Sequence, residues 1–282
     1  MSESKIEWTE QTWNVILGCD KISAGCQNCY AIQQAYRNNA MAQSLEPSKR
    51  GRLAYYEGLT EKRGNRTEWT GKIAFVEEAL EIPLKRKKPT IYFVNSMGDL
   101  FHEDVTDEML NKIFTVFRRT PQHTYQVLTK RPDRMREYIR TLSWVGRHEG
   151  YEAYQGGEGS RPLDNVWLGT SIENQKAVID RAHPLSLINQ KGWNTFYSCE
   201  PLLEEIDLDL AFFPVDWVIC GAESGHGARP FDEDWARCLR DQCVAFNVPF
   251  FYKQKMVGSK KISLPELDGK SWSQSPMEAI AS

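Results

Sequence analysis

Three of the chain's seven cysteines lie within eleven residues, a spacing that favours metal or redox chemistry. They are Cys19, Cys26 and Cys29, in the stretch TWNVILGCDKISAGCQNCYAIQQA. A closed tetrahedral zinc site needs four ligands, so zinc here would require a further one such as Cys199 or His102. Three thiolates can also hold three irons of a 4Fe–4S cluster and leave the fourth iron open. Reduced structural thiols are the third interpretation that the spacing leaves open.

The composition favours a large folded core in a reducing compartment. The chain has 282 residues, of which 41% are hydrophobic and 26% charged. It has no apolar run of about 18 residues that would span a membrane, and MSESKIEWTE lacks the layout of a signal peptide. We therefore expect a cytoplasmic protein, in which clustered cysteines bind metal more often than they form disulfides. The net charge of −3 indicates that any polyanion site must be a local basic patch.

Short apolar segments that alternate with helical patterns predict the elements that position these groups. Strands are predicted at 72–76, 90–94, 124–128, 165–170, 194–199, 216–220 and 249–253, with a weaker eighth at 12–17. Helices are predicted at 106–119, 131–142 and 232–247, the first with Thr106 as its N-cap. Such alternation predicts an α/β fold with a parallel sheet, a partial or full (β/α) barrel in one domain spanning 1–282. The pattern leaves open whether six or eight units form.

Two stretches, near 41–70 and 146–164, are polar and are predicted to be loop insertions. The second is rich in glycine and charge. The first combines basic residues with aromatic ones, a composition typical of surfaces that contact single strands or flipped bases. A solvated loop is the alternative. The residues concerned are Lys49, Arg50, Arg52, Lys62, Arg63 and Arg66, with Tyr55, Tyr56 and Trp69.

Eight sequence blocks, in order, give the chain a family resemblance. They are IEWTEQTWN, GCDKISAGCQNCYA, FVNSMGDLFHEDV, PQHTYQVLTKRPDRM, NVWLGTSIENQ, SCEPLL, DWVICGAESGHGARP and VPFFYKQ. The chain resembles the radical S-adenosylmethionine superfamily, in which a cysteine loop follows the first strand of a (β/α) barrel of the radical-SAM type. More closely, it resembles a phage-associated family named after phage gene products thirty-seven and sixty-eight. It departs from the superfamily motif because six residues, not three, separate Cys19 from Cys26, and Asn28 occupies the usual aromatic position.

The resemblance implies a mechanism and a cofactor pair. Cys19, Cys26 and Cys29 would ligate a 4Fe–4S cluster whose open iron chelates S-adenosyl-L-methionine. One electron, from a reductant such as flavodoxin or ferredoxin, would then yield a 5′-deoxyadenosyl radical that abstracts a substrate hydrogen. Tyr30, next to the last cysteine, would cover the adenine.

The carboxyl ends of the predicted strands supply the other candidates, because parallel sheets carry their chemistry there. Asp99 and His102 could bind the cofactor's ribose or amino group, although a helix-capping role is the alternative for Asp99. Lys130 and Arg131 could clamp a carboxylate or phosphate, and a solvated charge pair is the alternative. Further cofactor-binding candidates are Glu173, Asn174 and Glu223. Catalytic candidates are Cys199, Cys220, Glu200 and Lys253. The two thiols would donate a hydrogen atom to a product radical, and ordinary buried cysteines are the alternative. Lys253 would reach the substrate, and an ion pair with a glutamate is the alternative.

Several functions remain open from the sequence. The leading hypothesis is a radical S-adenosylmethionine enzyme, isomerase or lyase, that modifies a DNA base or nucleotide-linked substrate, as in phage-type thymidine hypermodification in the host cytoplasm. Repair of a thymine lesion, as by spore photoproduct lyases, is a related reaction. A zinc-stabilised nucleic-acid-binding protein without catalysis is the alternative from another class. A metal-dependent hydrolase is disfavoured, since the His and Asp spacing offers no recognisable ligand set.

Overall fold

The computed structural model describes residues 4, 6–142, 162–225 and 227–276. Within them the chain forms an α/β structure around one eight-stranded sheet. The insertion predicted at 146–164 lies outside the described residues except for its last three. No helix in the described ranges is both long and apolar enough to cross a membrane.

The main sheet has the strand order β1-β6-β7-β8-β9-β10-β11-β12, and its first seven strands are parallel. Only β12, which pairs with β11, is antiparallel. The strands are β1 Gln11–Trp13, β2 Ile16–Leu17, β3 Thr60–Arg63, β4 Arg66–Trp69, β5 Ala74–Phe75, β6 Ile91–Val94, β7 Thr124–Thr129, β8 Val166–Ser171, β9 Asn194–Cys199, β10 Val218–Gly221, β11 Phe250–Val257, β12 Lys260–Ser263, β13 Glu266–Leu267 and β14 Lys270–Ser271. Since this order does not return to its first strand, the described sheet is an open, partial barrel, one of the two forms that the sequence left open.

Six α-helices accompany the sheet in the part of the chain that the structure describes, and several begin at side-chain caps. The helices are α1 Tyr30–Gln43, α2 Glu81–Lys85, α3 Asp107–Arg119, α4 Pro132–Thr141, α5 Gln175–Asn189 and α6 Glu233–Ala245. Thr106 accepts a hydrogen bond from the Met109 amide, as predicted, and Asn174 accepts one from the Ala177 amide. The predicted helices at 106–119, 131–142 and 232–247 correspond to α3, α4 and α6.

Two predicted strands differ from the structure. The segment at 72–76 does not join the main sheet; only Ala74–Phe75 is extended, and it pairs antiparallel with Ile16–Leu17. The segment at 12–17 is split, because the Asn95 side-chain oxygen accepts hydrogen bonds from the amides of both Val15 and Ile16. These bonds replace the sheet ladder beyond Trp13, so only the first half of the segment becomes an edge strand.

The two faces of the sheet pack differently. One face carries the large apolar core shared with the helices, which includes Phe114 on α3 and Leu185 on α5. The opposite face carries a separate aromatic cluster, made of Trp8, Phe93, Trp167, Phe196, Trp217, Ile219 and Phe251. Gly169 makes room for this cluster, since a Cβ there would lie 2.4 Å from the Phe196 ring. Both faces are therefore dry, as expected for strands of a parallel sheet.

Candidate functional site

A cavity of about 270 Å³ lies at the carboxyl ends of the strands, and most of the predicted site residues line it. Residues from the cysteine loop, from the segments after β6, β7, β9 and β10, and from within β11 meet there. Such convergence is the usual location of chemistry in parallel sheets. The predicted residues in its lining are Cys19, Cys26, Cys29, Tyr30, Asp99, Lys130, Arg131, Glu200, Glu223 and Lys253.

The cysteine loop is held in place where it leaves the sheet. Gly18 forms a parallel bridge with Gly98 and has a φ of +89°, and a Cβ at Gly18 would lie 2.2 Å from the Lys72 carbonyl oxygen. Only glycine fits both the conformation and the space. Cys26 ends a short 3₁₀ helix, and Cys29 is the N-cap residue of α1. The local fold thus brings all three cysteines to the wall of one cavity.

An arginine anchors the first part of this loop. The Arg131 guanidinium binds Asp20 and donates to Asp99 Oδ2 at 2.9 Å, and its Nη1 lies 4.0 Å from Cys19 Sγ. Asp99 in turn accepts hydrogen bonds from the Thr129 hydroxyl at 2.7 Å and the Lys130 amide at 3.2 Å. Asp99 therefore organises the loop's anchor as well as lining the cavity.

A buried carboxylate anchors the middle of the loop. Glu173 lies 2.8 Å from Arg181 Nη1 and 3.6 Å from Lys130 Nζ, and it accepts from the Gly25 amide at 3.4 Å. Burial alone would raise the pKa of this carboxyl, but Lys130 and Arg181 outweigh that effect and lower the pKa to about 2. Glu173 is thus a permanent anion that joins the loop to α5.

A third anchor comes from the segment after β10. Arg229 binds Glu223 through two nitrogens, at 2.5 and 2.9 Å, and donates to the Ala24 carbonyl oxygen at 2.9 Å. Asn28 donates to Glu223 Oε2 at 2.9 Å. Asn28, which stands where the resembled superfamily's motif has an aromatic residue, therefore helps to hold the loop in place. Although burial acts to raise the pKa of Glu223, the Arg229 guanidinium and these hydrogen bonds hold it low.

An ion pair lies on the side of the cavity nearest the aromatic cluster. Lys253 Nζ is 2.8 Å from Glu200 Oε1 and sits 5.9 Å from the centre of the Trp8 ring. Glu200 Oε2 accepts from the Trp8 indole and the Ser198 hydroxyl, both at 3.2 Å. An ammonium has three donors, and its contact with Glu200 Oε1 is an ion pair without hydrogen-bond geometry. Lys253 can therefore donate to a substrate oxygen in the cavity.

Five other candidates lie outside the cavity lining. Glu173 acts through the loop, and Asn174 caps α5. His102 is buried behind the loop, with Nε2 3.0 Å from Asp20 Oδ1. Cys199 and Cys220 pair across β9 and β10 and pack with Cys243 in the core beneath the helices, where burial raises the pKa of both thiols far above the usual range. Their position is that of ordinary buried cysteines.

Three loop-anchoring residues were not predicted to have that role. Asp20 and Arg229 bind partners more than a hundred residues away, and Arg131 was interpreted as a substrate clamp. The sequence did carry one signal for Asp20, since an acid next to a candidate cysteine ligand needs a counter-ion if it is partly buried. Tyr30, the candidate for covering an adenine, lines the cavity, and its hydroxyl donates to the Ser96 carbonyl oxygen at 3.0 Å.

The cysteine loop supplies the type of ligand that iron–sulfur clusters use. All seven cysteines lie in the described residues and carry free thiols, and thiolates are the usual ligands of such clusters. Burial, together with Asp99, raises the pKa of Cys19 to about 12, and burial raises the pKa of Cys29. Any metal centre bound by these thiolates would have to displace these protons. Across the described ranges, no three His, Cys, Asp or Glu side chains are grouped tightly enough to hold a single metal ion.

The insertion at 41–70 is not a plain loop. Its first residues finish α1, and its β3–β4 hairpin packs against α1. Trp69, at the end of the hairpin, lines the cavity, and the neighbouring Glu68 pairs with Lys21 of the cysteine loop at 2.5 Å. The basic trio of Lys49, Arg50 and Arg52 follows the far end of α1, whose 14 residues rise about 21 Å.

Comparison with known protein families shows to which family the chain belongs. Residues 3–276 match the family described as "Protein of unknown function (DUF5131)". The chain belongs to this family. No curated protein matches the sequence significantly. Among solved structures, the DUF5131 chain is similar to a mutant of spore photoproduct lyase, with a TM-score of 0.42 and 10% sequence identity, over 87% of this chain and 75% of that one.

Proposed function

We propose that this DUF5131 protein is a radical S-adenosylmethionine enzyme that modifies a nucleic-acid base or a nucleotide-linked substrate. The observation that carries the proposal is the placement of three free thiols from one loop on the wall of a cavity ringed by charged strand-end residues. Cys19, Cys26 and Cys29 would hold a 4Fe–4S cluster, and S-adenosyl-L-methionine would bind beside it. When bound, this pair supplies one-electron chemistry that generates a carbon radical.

The protein's own residues position and shield that chemistry. The three anchors centred on Arg131, Glu173 and Glu223 fix the loop rigidly, which favours one geometry for whatever the thiols bind. Tyr30, Trp69 and Phe93 offer aromatic surfaces against which an adenine or a substrate base can stack.

The ion pair of Lys253 and Glu200 supplies polar recognition deeper in the cavity. Glu200 balances the ammonium charge, so Lys253 is suited to donate to a neutral carbonyl oxygen. Pyrimidine and purine bases carry such oxygens. The aromatic cluster beneath excludes water, which protects a reactive intermediate from stray hydrogen donors. A base or a nucleotide-linked adduct therefore suits this side of the cavity. The reaction that we propose for this substrate is an isomerisation or a cleavage. The electron would come from a flavodoxin- or ferredoxin-type reductant.

Anaerobic reconstitution tests the proposal. The wild-type protein should bind about four irons and four sulfides per chain, and the reduced protein should cleave S-adenosyl-L-methionine to methionine and 5′-deoxyadenosine. Replacing Cys19, Cys26 or Cys29 with alanine should abolish iron binding. Cys238→Ala is the matched control, because this thiol lies on α6 and contacts the Ile206 carbonyl oxygen. Stoichiometric zinc without iron would instead support the nucleic-acid-binding alternative.

A further inference from the structure

Arg131 is a largely buried arginine whose guanidinium is held by two carboxylates. It lies just after β7, and its side chain is 15% exposed. One nitrogen donates to Asp99 at 2.9 Å, and another binds Asp20. Asp99 is itself fixed by the Thr129 hydroxyl at 2.7 Å. A planar guanidinium with carboxylates on two sides has little freedom to follow a ligand.

The same guanidinium faces the first cysteine. Arg131 Nη1 lies 4.0 Å from Cys19 Sγ, within the range of a hydrogen bond to sulfur. The Cys19 sulfur also faces the negative charge of Asp99, which opposes further negative charge there, whereas Arg131 favours it. Arg131 is thus a fixed cation that contacts a proposed cluster ligand. Asp20, one residue from that ligand, is a fixed anion at the same point.

We infer that Arg131 is a positioning residue that raises the reduction potential of the cluster through its contact with Cys19. This inference rests on the proposed function, which supplies the cluster. Reduction adds one negative charge to a cluster, and hydrogen bonds to its sulfurs and nearby charges set the potential at which this happens. A guanidinium at Cys19 stabilises the reduced form. Asp20 acts in the opposite direction, because its carboxylate repels the added electron.

An EPR-monitored redox titration of the reconstituted protein tests this role. In R131M the ratio of reduced to oxidised cluster at a fixed potential should fall about tenfold, equivalent to 59 mV for a one-electron couple. R131K should lie between R131M and wild type, because lysine keeps the charge but not the fork of donors. R134M is the matched control: Arg134 lies on α4 and binds the Val105 carbonyl and Asp107, so its loss should leave the potential unchanged.

A variant with the opposite charge change separates tuning from mere folding. D20N removes the anion beside Cys19, so its potential should rise above that of wild type. If R131M fails to hold iron, the inference is still supported when the reduction potential of R131K is lower than that of wild type and the potential of D20N is higher. Any other order of these three potentials overturns it. Equal potentials in wild type and in an iron-replete R131M would overturn it while the proposed function stands. Failure of the wild-type protein to bind iron would overturn the proposed function itself.

Discussion

Glu173→Gln should destabilise the protein in a way that depends on pH. Glu173 is 1% exposed and neutralises Arg181 and Lys130 at 2.8 and 3.6 Å. Its pKa is about 2 in the folded protein, against an ordinary value of 4.5. A difference of about 2.5 units corresponds to about 3 kcal/mol of folding free energy at neutral pH. Glutamine has the same shape but carries no charge, so it removes this contribution and leaves two partly buried cations without their anion.

The sign of the pH dependence follows from the lowered pKa. Below about pH 4.5 the unfolded chain binds a proton at Glu173 that the folded chain does not, so wild-type stability decreases as the pH falls towards 2. The advantage of wild type over Glu173→Gln should be about 3 kcal/mol at pH 7. It should shrink by about 1 kcal/mol at pH 4 and by about 2 kcal/mol at pH 3.

Urea unfolding followed by tryptophan fluorescence measures this difference at each pH. Asp180→Asn is the control, because Asp180 forms an exposed pair with Lys176 on the same helix, and its loss should cost at most about 0.5 kcal/mol. A difference between wild type and Glu173→Gln below about 1 kcal/mol at pH 7 would refute the reasoning. So would a difference that stays constant between pH 7 and pH 3.

Two further predictions concern the barrel interior and the basic trio. Gly169→Ala places a Cβ 2.4 Å from the Phe196 ring and should cost about 1–3 kcal/mol in urea unfolding; unchanged stability would show that the aromatic cluster can rearrange. Replacing Lys49, Arg50 and Arg52 together with alanine should weaken DNA binding in fluorescence anisotropy and leave the iron content intact. The slope of log affinity against log salt should flatten by about 0.7–0.9 for each phosphate that the variant no longer neutralises, and identical slopes would argue for a small-molecule substrate.

The sheet was largely predictable because its strands are continuous apolar runs. The run at 194–199 is β9 with the same bounds, and Thr106 caps α3 as expected. The convergence of Cys19, Glu223 and Lys253 also followed from sequence, since the ends of parallel strands share one edge of the sheet. In such regions local pattern and tertiary structure agree, and so the pattern is informative.

The partners of polar groups were not predictable, because they depend on contacts between distant residues. The segment at 72–76 is as apolar as a sheet strand, but nothing in it encodes pairing with Ile16–Leu17. In the sequence Arg131 has no evident partner, whereas in the structure it forms ion pairs with Asp20 and Asp99. Cys199 faces the core while Glu200, the next residue, lines the cavity, and the sequence did not show which of the two would face inward.

The distance in sequence between the cysteine loop and its last anchor sets an order of events during synthesis. Cys29 precedes Arg229 by 200 residues (229 − 29), and Arg229 holds the loop through the Ala24 carbonyl oxygen. At about 5–20 residues per second, the ribosome needs about 10–40 s to make that interval. For most of it the three thiols are outside the ribosome while the Arg229 anchor of their loop is still missing. Insertion of the proposed cluster into the completed loop would therefore wait until Arg229 has been made, and chaperones or reductants have that interval in which to keep the thiols from oxidising.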